Sequence, residues 1–225
     1  MQVEDSQSLC YKLPMESIEV LTSDEAKLLA QKLKIKKLEF DVQEQAQNNF
    51  LSFVRSVWPE FKEGSHHKII SKKFEDIANG KLKRLIVNMP PRHTKSEFAS
   101  FLFPAWFVGR KPRSKIMQTT HTGELAIRFG RKVRNLMDSS DYKKIFPKSY
   151  LQPDSMAAGR WETAQGGEYF AAGTGGAVTG RGADLLIIDD PHSEWYTSGP
   201  RQRLQPGGAI VIVMTRWSVK DLTGM

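Results

Sequence analysis

Lys95 and Ser96 are the two residues whose types and neighbours first suggest a reaction. They stand in the run KRLIVNMPPRHTKSE, from Lys83 to Glu97. Leu85, Ile86 and Val87 form a short apolar run rich in β-branched side chains, which predicts a buried strand. Pro90 and Pro91 cannot continue a strand ladder and predict a turn. From Glu97 to Val108 the residues suit a buried helix. Strand, tight loop, Lys-Ser and helix is the order in which a phosphate-binding loop is built. Backbone N–H groups at such a helix start point at phosphate oxygens, and the helix dipole favours their negative charge. Lys95 is then expected to reach the β- and γ-phosphates, and the Ser96 hydroxyl to ligate Mg2+.

The usual spacing, G-x-x-x-x-G-K-[ST], is not met in full. Met89 and Thr94 stand at the two glycine positions, and a β-branched residue is costly wherever φ must be positive. Taken by itself, the stretch also reads as a strand followed by a basic turn.

A phosphate loop needs a partner that holds the metal ion and positions water. The run LLIIDD, Leu185 to Asp190, offers one. Four apolar residues lead to two carboxylates at the carboxyl end of a strand, where α/β sheets bind ligands. Asp189 is expected to hold the metal, directly or through water, and Asp190 to polarise the attacking water as general base. Acid pairs at strand ends are common in turns, and this one gains meaning from the Lys-Ser loop upstream. A third element, Thr215-Arg216-Trp217, closes the apolar strand AIVIVMT that begins at Ala209. A polar residue at that tip can touch both the catalytic water and the γ-phosphate and so report hydrolysis, although strands also simply end in polar residues. Together the three elements predict a nucleoside triphosphatase.

The elements that must position these residues follow from periodicity and punctuation. Residues 1–21 are polar and irregular. A helix is expected from Thr22-Ser23-Asp24-Glu25, with Ala26, Leu29, Ala30 and Leu33 at helical spacing. A second is expected over Asp41–Val57, and a third over Ser65–Ala78 closed by Asn79-Gly80. Lys115–Thr119 reads as a strand and Gly123–Met137 as a basic amphipathic helix. Its Arg128, Arg131, Lys132 and Arg134 read as a solvated face or as contacts to DNA phosphates. Asp138–Gly159 reads as loop, and Arg160–Gly182 as short antiparallel strands with tight turns. Alternation of strands and helices predicts an α/β fold with a mostly parallel sheet covered on both faces. Two parts are expected: an N-terminal arm and small helical segment over 1–57, and the catalytic domain over 58–225.

Composition narrows the class. A chain of 225 residues with 40% hydrophobic content can build one sizeable core, and a formal net charge of +8 favours a polyanionic partner such as nucleic acid. Cys10 is the single cysteine, so neither an internal disulfide nor a cysteine zinc cluster can form, which suits a reducing compartment. There is no apolar run of about 18 residues and no signal-peptide pattern at the start. No membrane partner is expected, and the chain reads as cytosolic.

These motifs resemble the large terminase subunit of tailed bacteriophages, the ATPase motor that packages DNA. MPPRHTKSE is similar to that family's divergent phosphate loop, in which an arginine and prolines replace the first glycine region. GRGADLLIIDDP is similar to its acidic strand and VIVMTRWSVKDL to its coupling motif, and the resemblance runs from about Trp58 onward. It implies a P-loop NTPase of the ASCE type. Pro91, Arg92, His93, Thr94, Lys95, Ser96 and Glu97 would line the nucleotide, with His67 placed where relatives contact adenine. Ser96 and Asp189 would hold Mg2+, and ATP would be the substrate. Asp190, Lys95, Thr215 and Arg216 would take part in catalysis, and Arg181 would act as an arginine finger on a neighbouring subunit's nucleotide. Implied partners are double-stranded DNA, the portal protein of the procapsid, the small terminase subunit and further copies in a ring, a pentamer when assembled. The implied place of action is the portal vertex in the host cytoplasm.

Three departures stand beside the resemblance. Many relatives carry Glu where this chain has Asp190, with Glu194 the alternative base. Relatives also tend to have more residues between the acidic and coupling strands. The family's C-terminal nuclease domain has no counterpart in this sequence, so no nuclease activity is expected of it. The other functions compatible with the residues are a helicase or another nucleic-acid-dependent P-loop ATPase, and a catalytically silent assembly module.

Overall fold

The computed structural model describes residues 22–173, 182–190 and 204–215. The chain divides into two compact units, one ending at Phe40 and one beginning at Asp41.

The first helix, α1 (Ser23–Asn48), runs through the place where the sequence suggested a new helix at Asp41. No glycine or proline interrupts residues 35–48, so nothing stops it there. The break comes at Asn49, whose extended backbone and side-chain oxygen cap α2 (Phe50–Val57) by accepting a bond from Ser52 N at 2.8 Å. The buried Glu75 carboxylate fixes this junction, accepting from Asn49 Nδ2 at 2.8 Å and Phe50 N at 3.1 Å. Glu75 lies on α3 (Ser65–Ala78), which ends at Asn79 and Gly80, the latter at φ 77°.

Strand β1 (Arg84–Asn88) follows, then the loop, then a π-helical segment, Glu97–Leu102, that leads into α4 (Phe103–Arg110). Where one continuous α-helix was expected, the first turn is wider. Pro104 has no N–H to give the Ser100 carbonyl, and Phe103 N instead bonds back to Phe98 O. Next come β2 (Lys115–Thr120), α5 (Gly123–Asp138), α6 (Ser140–Ile145), β3 (Leu151–Ala157), β4 (Arg160–Thr163), β5 (Glu168–Gly173), β6 (Ala183–Asp189) and β7 (Leu204–Met214).

Residues 138–159 are therefore not all loop. The Ser139 hydroxyl caps α6 by accepting from Tyr142 N at 3.3 Å, and the buried Tyr142 hydroxyl donates to Ala105 O at 2.9 Å. Strand β3 carries Pro153 and an irregular register against β4, features that a sheet edge tolerates.

The seven strands form one sheet in the order β1-β7-β6-β2-β5-β4-β3. The five from β1 to β5 in that order are parallel to their neighbours, while β5–β4 and β4–β3 are antiparallel. Alternate residues of a strand point to opposite faces, and two buried clusters follow that rule. Leu185, Ile187, Val211 and Val213 join an aromatic core with α2, α3, α4, α5 and α6, whereas Leu186, Ile188, Ile210 and Ile212 join a smaller cluster with Met117. Both faces of the central strands are thus buried.

The sheet order brings the ends of β1, β7 and β6 side by side. That neighbourhood builds the site.

Candidate functional site

Parallel pairing of β1 with β7 and of β7 with β6 sets Asn88 opposite Met214 and Asp189 opposite Val213. The three strands therefore deliver the 89–96 loop, Thr215 and Asp189-Asp190 to one edge of the sheet. The loop leaves β1 with Met89 N reaching Met214 O at 3.4 Å. Arg92 and Thr94 then adopt left-handed backbones, at φ 64° and 60°. Thr94 O accepts from Phe98 N at 2.9 Å, which starts the helix. Pro91, Arg92 and His93 are exposed at the loop tip, with the His93 ring held at 2.9 Å from Pro91 O through Nδ1.

Lys95 and Ser96 turn inward. Lys95 Nζ donates to Thr215 Oγ1 at 2.8 Å. Ser96 Oγ donates to Asp189 Oδ1 at 3.1 Å. Asp189 is 1% exposed, and burial pushes its carboxyl up to about 6, against the opposing bond from Ser100, with the neighbouring Asp190 charge adding to the rise. Asp190 has a left-handed backbone, φ 47°, donates its N–H to Val213 O at 2.8 Å and accepts from Thr215 N at 3.3 Å through Oδ1. An Asp tolerates that conformation better than most residues.

Ser100 is the residue that sequence reasoning missed. Fully buried, it donates to Asp189 Oδ2 at 2.7 Å, so the carboxylate is held by two hydroxyls from one helical stretch. Its place four residues after Ser96, on the same helical face, is the signal that could have found it.

Glu97 faces away from this group. Lys132 of α5 grips both of its oxygens, at 2.7 and 2.9 Å. Lys132 is therefore paired with the helix that follows the loop, whereas Arg128 and Arg131 are exposed, and Arg134 donates to Met156 O at 2.7 Å.

His67 is 5% exposed. Its Nδ1 accepts from Gly64 N at 2.8 Å, and its Nε2 lies 2.7 Å from Thr94 Oγ1. Phe98 stacks on the ring at 4.8 Å, and Phe61 and His66 pack beside it at 4.8 and 3.8 Å. Burial lowers its pKa, helped by the His66 charge and opposed by Glu63.

The structure thus gathers Lys95, Ser96, Asp189, Asp190 and Thr215, with Thr94 in the loop and His67 behind it. Arg181, Glu194, Arg216 and Trp217 lie outside the described residues. The Ser96 hydroxyl and a buried carboxylate are hard oxygen donors of the kind Mg2+ prefers. The loop N–H groups and Lys95 suit phosphate.

No family model matches the sequence, and no curated protein does. Among solved structures, the large terminase of bacteriophage HK97 matches with 15% identity and a TM-score of 0.49, over 72% of this chain and 35% of that one. The chain thus spans about a third of the length of that protein.

Proposed function

We propose that the chain is the ATPase motor domain of a tailed-phage large terminase, hydrolysing ATP to drive double-stranded DNA into a procapsid. The observation that carries the reading is the meeting of Lys95, Ser96, Asp189 and Thr215 at the ends of three neighbouring parallel strands. The motif resemblance supplies the rest.

In this reading the 89–96 loop wraps the triphosphate, and Lys95 exchanges Thr215 for a phosphate oxygen. Ser96 and Asp189 would hold Mg2+, whose charge offsets that of the phosphates when bound. Ser100 keeps Asp189 turned towards Ser96. Asp190 takes the proton of the attacking water, a role worth about 10²–10⁴ in rate. Thr215, bonded to Lys95 and to the Asp190 carboxylate, passes the state of the site to β7. Arg181 of a neighbouring copy is the proposed finger, worth about 10³–10⁵, with Arg92 and Arg216 second to it. The portal, the small terminase subunit, a ring of copies and DNA are the proposed partners.

ATP hydrolysis measured over a protein concentration series, with Lys95→Ala and Arg181→Ala beside it, tests the proposal. Specific activity should rise with concentration, each variant should lose it, and mixing the two inactive variants should restore part of it. Activity independent of concentration and of Arg181 would overturn the shared site.

A further inference from the structure

One of the two left-handed positions in the 89–96 loop is taken by a residue poorly suited to it. Thr94 sits at φ 60°, where a β-branched side chain is strained and a glycine is not. Something must hold it there, and the hydrogen bonds around its hydroxyl run in one direction only. Gly64 N–H can only donate, so His67 Nδ1, at 2.8 Å, carries no proton. The neutral ring then carries its proton on Nε2 and donates to Thr94 Oγ1 at 2.7 Å. Thr94 in turn donates to His93 O at 2.6 Å. Each link has one donor and one acceptor, and no group is left to choose another partner.

The ring itself cannot swing away. It is 5% exposed and packed against Phe61, His66 and Phe98. Phe98 belongs to the helical turn that the loop starts, so α3 and the loop share one packed unit. Both ring nitrogens are engaged within the protein, and the reach of His67 is towards the loop.

We propose that His67 is a positioning residue for the nucleotide site: its Nε2–H locks Thr94 in the left-handed conformation that aims the loop at phosphate. A histidine–threonine pair thus does here what a glycine does in an ordinary phosphate loop. The inference rests on the nucleotide reading of the loop. It explains how Thr94 can stand at a glycine position without loss of the loop's shape.

The test is a double-mutant cycle read by calorimetric binding of a non-hydrolysable ATP analogue with Mg2+, at pH 7.5, on variants whose folding is checked by circular dichroism. His67→Ala should weaken binding about tenfold. His67→Gln, which keeps an N–H donor near the Nε2 position, should recover most of that loss. In a Thr94→Gly background the corner needs no lock, so the further change His67→Ala should cost less than about twofold. Equal losses with Thr94 in place and in the Thr94→Gly background, or no recovery with glutamine, would overturn the lock while leaving the site intact. Failure of the unaltered protein to bind the analogue would overturn the nucleotide reading itself, and this inference with it.

Discussion

Asp189 is a carboxylate held where its own charge is disfavoured. Its folded value of about 6 lies above the ordinary 3.8, so between those values the folded protein binds a proton that the unfolded chain does not. Free protein therefore carries a cost at neutral pH that fades as the pH falls from about 6 towards 4. Asp189→Asn removes that cost, and we expect it to raise stability at pH 7.5 by about 1–3 kcal/mol in urea denaturation. The same change should abolish Mg2+-dependent nucleotide binding. In the unaltered protein the proton must leave before a cation is held, so that binding should weaken about tenfold per pH unit below about 6 and level off above it. Titrations between pH 5 and 8 check the slope, and a flat profile would mean Asp189 is not involved. Ser100→Ala leaves Oδ2 with no donor and should weaken Mg2+-dependent binding about tenfold without unfolding the chain. Much of this was legible beforehand, because an apolar run ending in Asp-Asp or in Thr marks a strand tip. The Ser100 bond and the His67–Thr94 link were not, since each joins residues that local pattern treats separately.

At the scale of elements, the site stands on an aromatic core. Phe50 of α2 meets Phe74, Phe98, Phe103 and Trp106 edge to face, with centroids 5.3–6.0 Å apart, and Phe98 then touches His67. Phe50→Ala should cost about 3–5 kcal/mol in denaturant unfolding. Helix α5 is fixed against the antiparallel end of the sheet through Gly130. A Cβ there would come within 2.4 Å of Ala158 O, and Trp161 Nε1 donates to Gly130 O at 3.2 Å. Intrinsic helix propensity favours Gly130→Ala by about 1 kcal/mol. The backbone clash should reverse that sign and destabilise the fold by about 1–3 kcal/mol, read as a lower urea midpoint. Strands β1, β2, β6 and β7, with α3 and α5, were legible from period and punctuation, whereas β5, expected within an antiparallel set, pairs parallel with β2 on one side and antiparallel with β4 on the other. The π-helical turn, α6 and β3 were not. The first depends on Pro104 meeting a packed core, and the other two are short polar stretches that form because Tyr142 and Leu151 find buried places.

At the scale of the molecule, the sheet order explains why residues far apart in sequence meet. Placing β7 between β1 and β6 puts Thr215 between the loop and the carboxylates, bonded to Lys95 on one side and Asp190 on the other. In the proposed function, a displacement of Lys95 by phosphate would thereby be felt at β7. The 130–134 stretch of α5 is linked to the same site through Lys132 and Glu97, which gives the basic helix a direct tie to the turn after the loop. The function proposed for the chain requires this cluster to bind a nucleoside triphosphate. Calorimetric titration of the whole chain with a non-hydrolysable ATP analogue and Mg2+, beside Lys95→Ala, tests it most directly. The expected result is saturable binding by the unaltered protein that depends on Mg2+ and is lost in the variant. Binding that is indifferent to Lys95, or no binding at all, would contradict it.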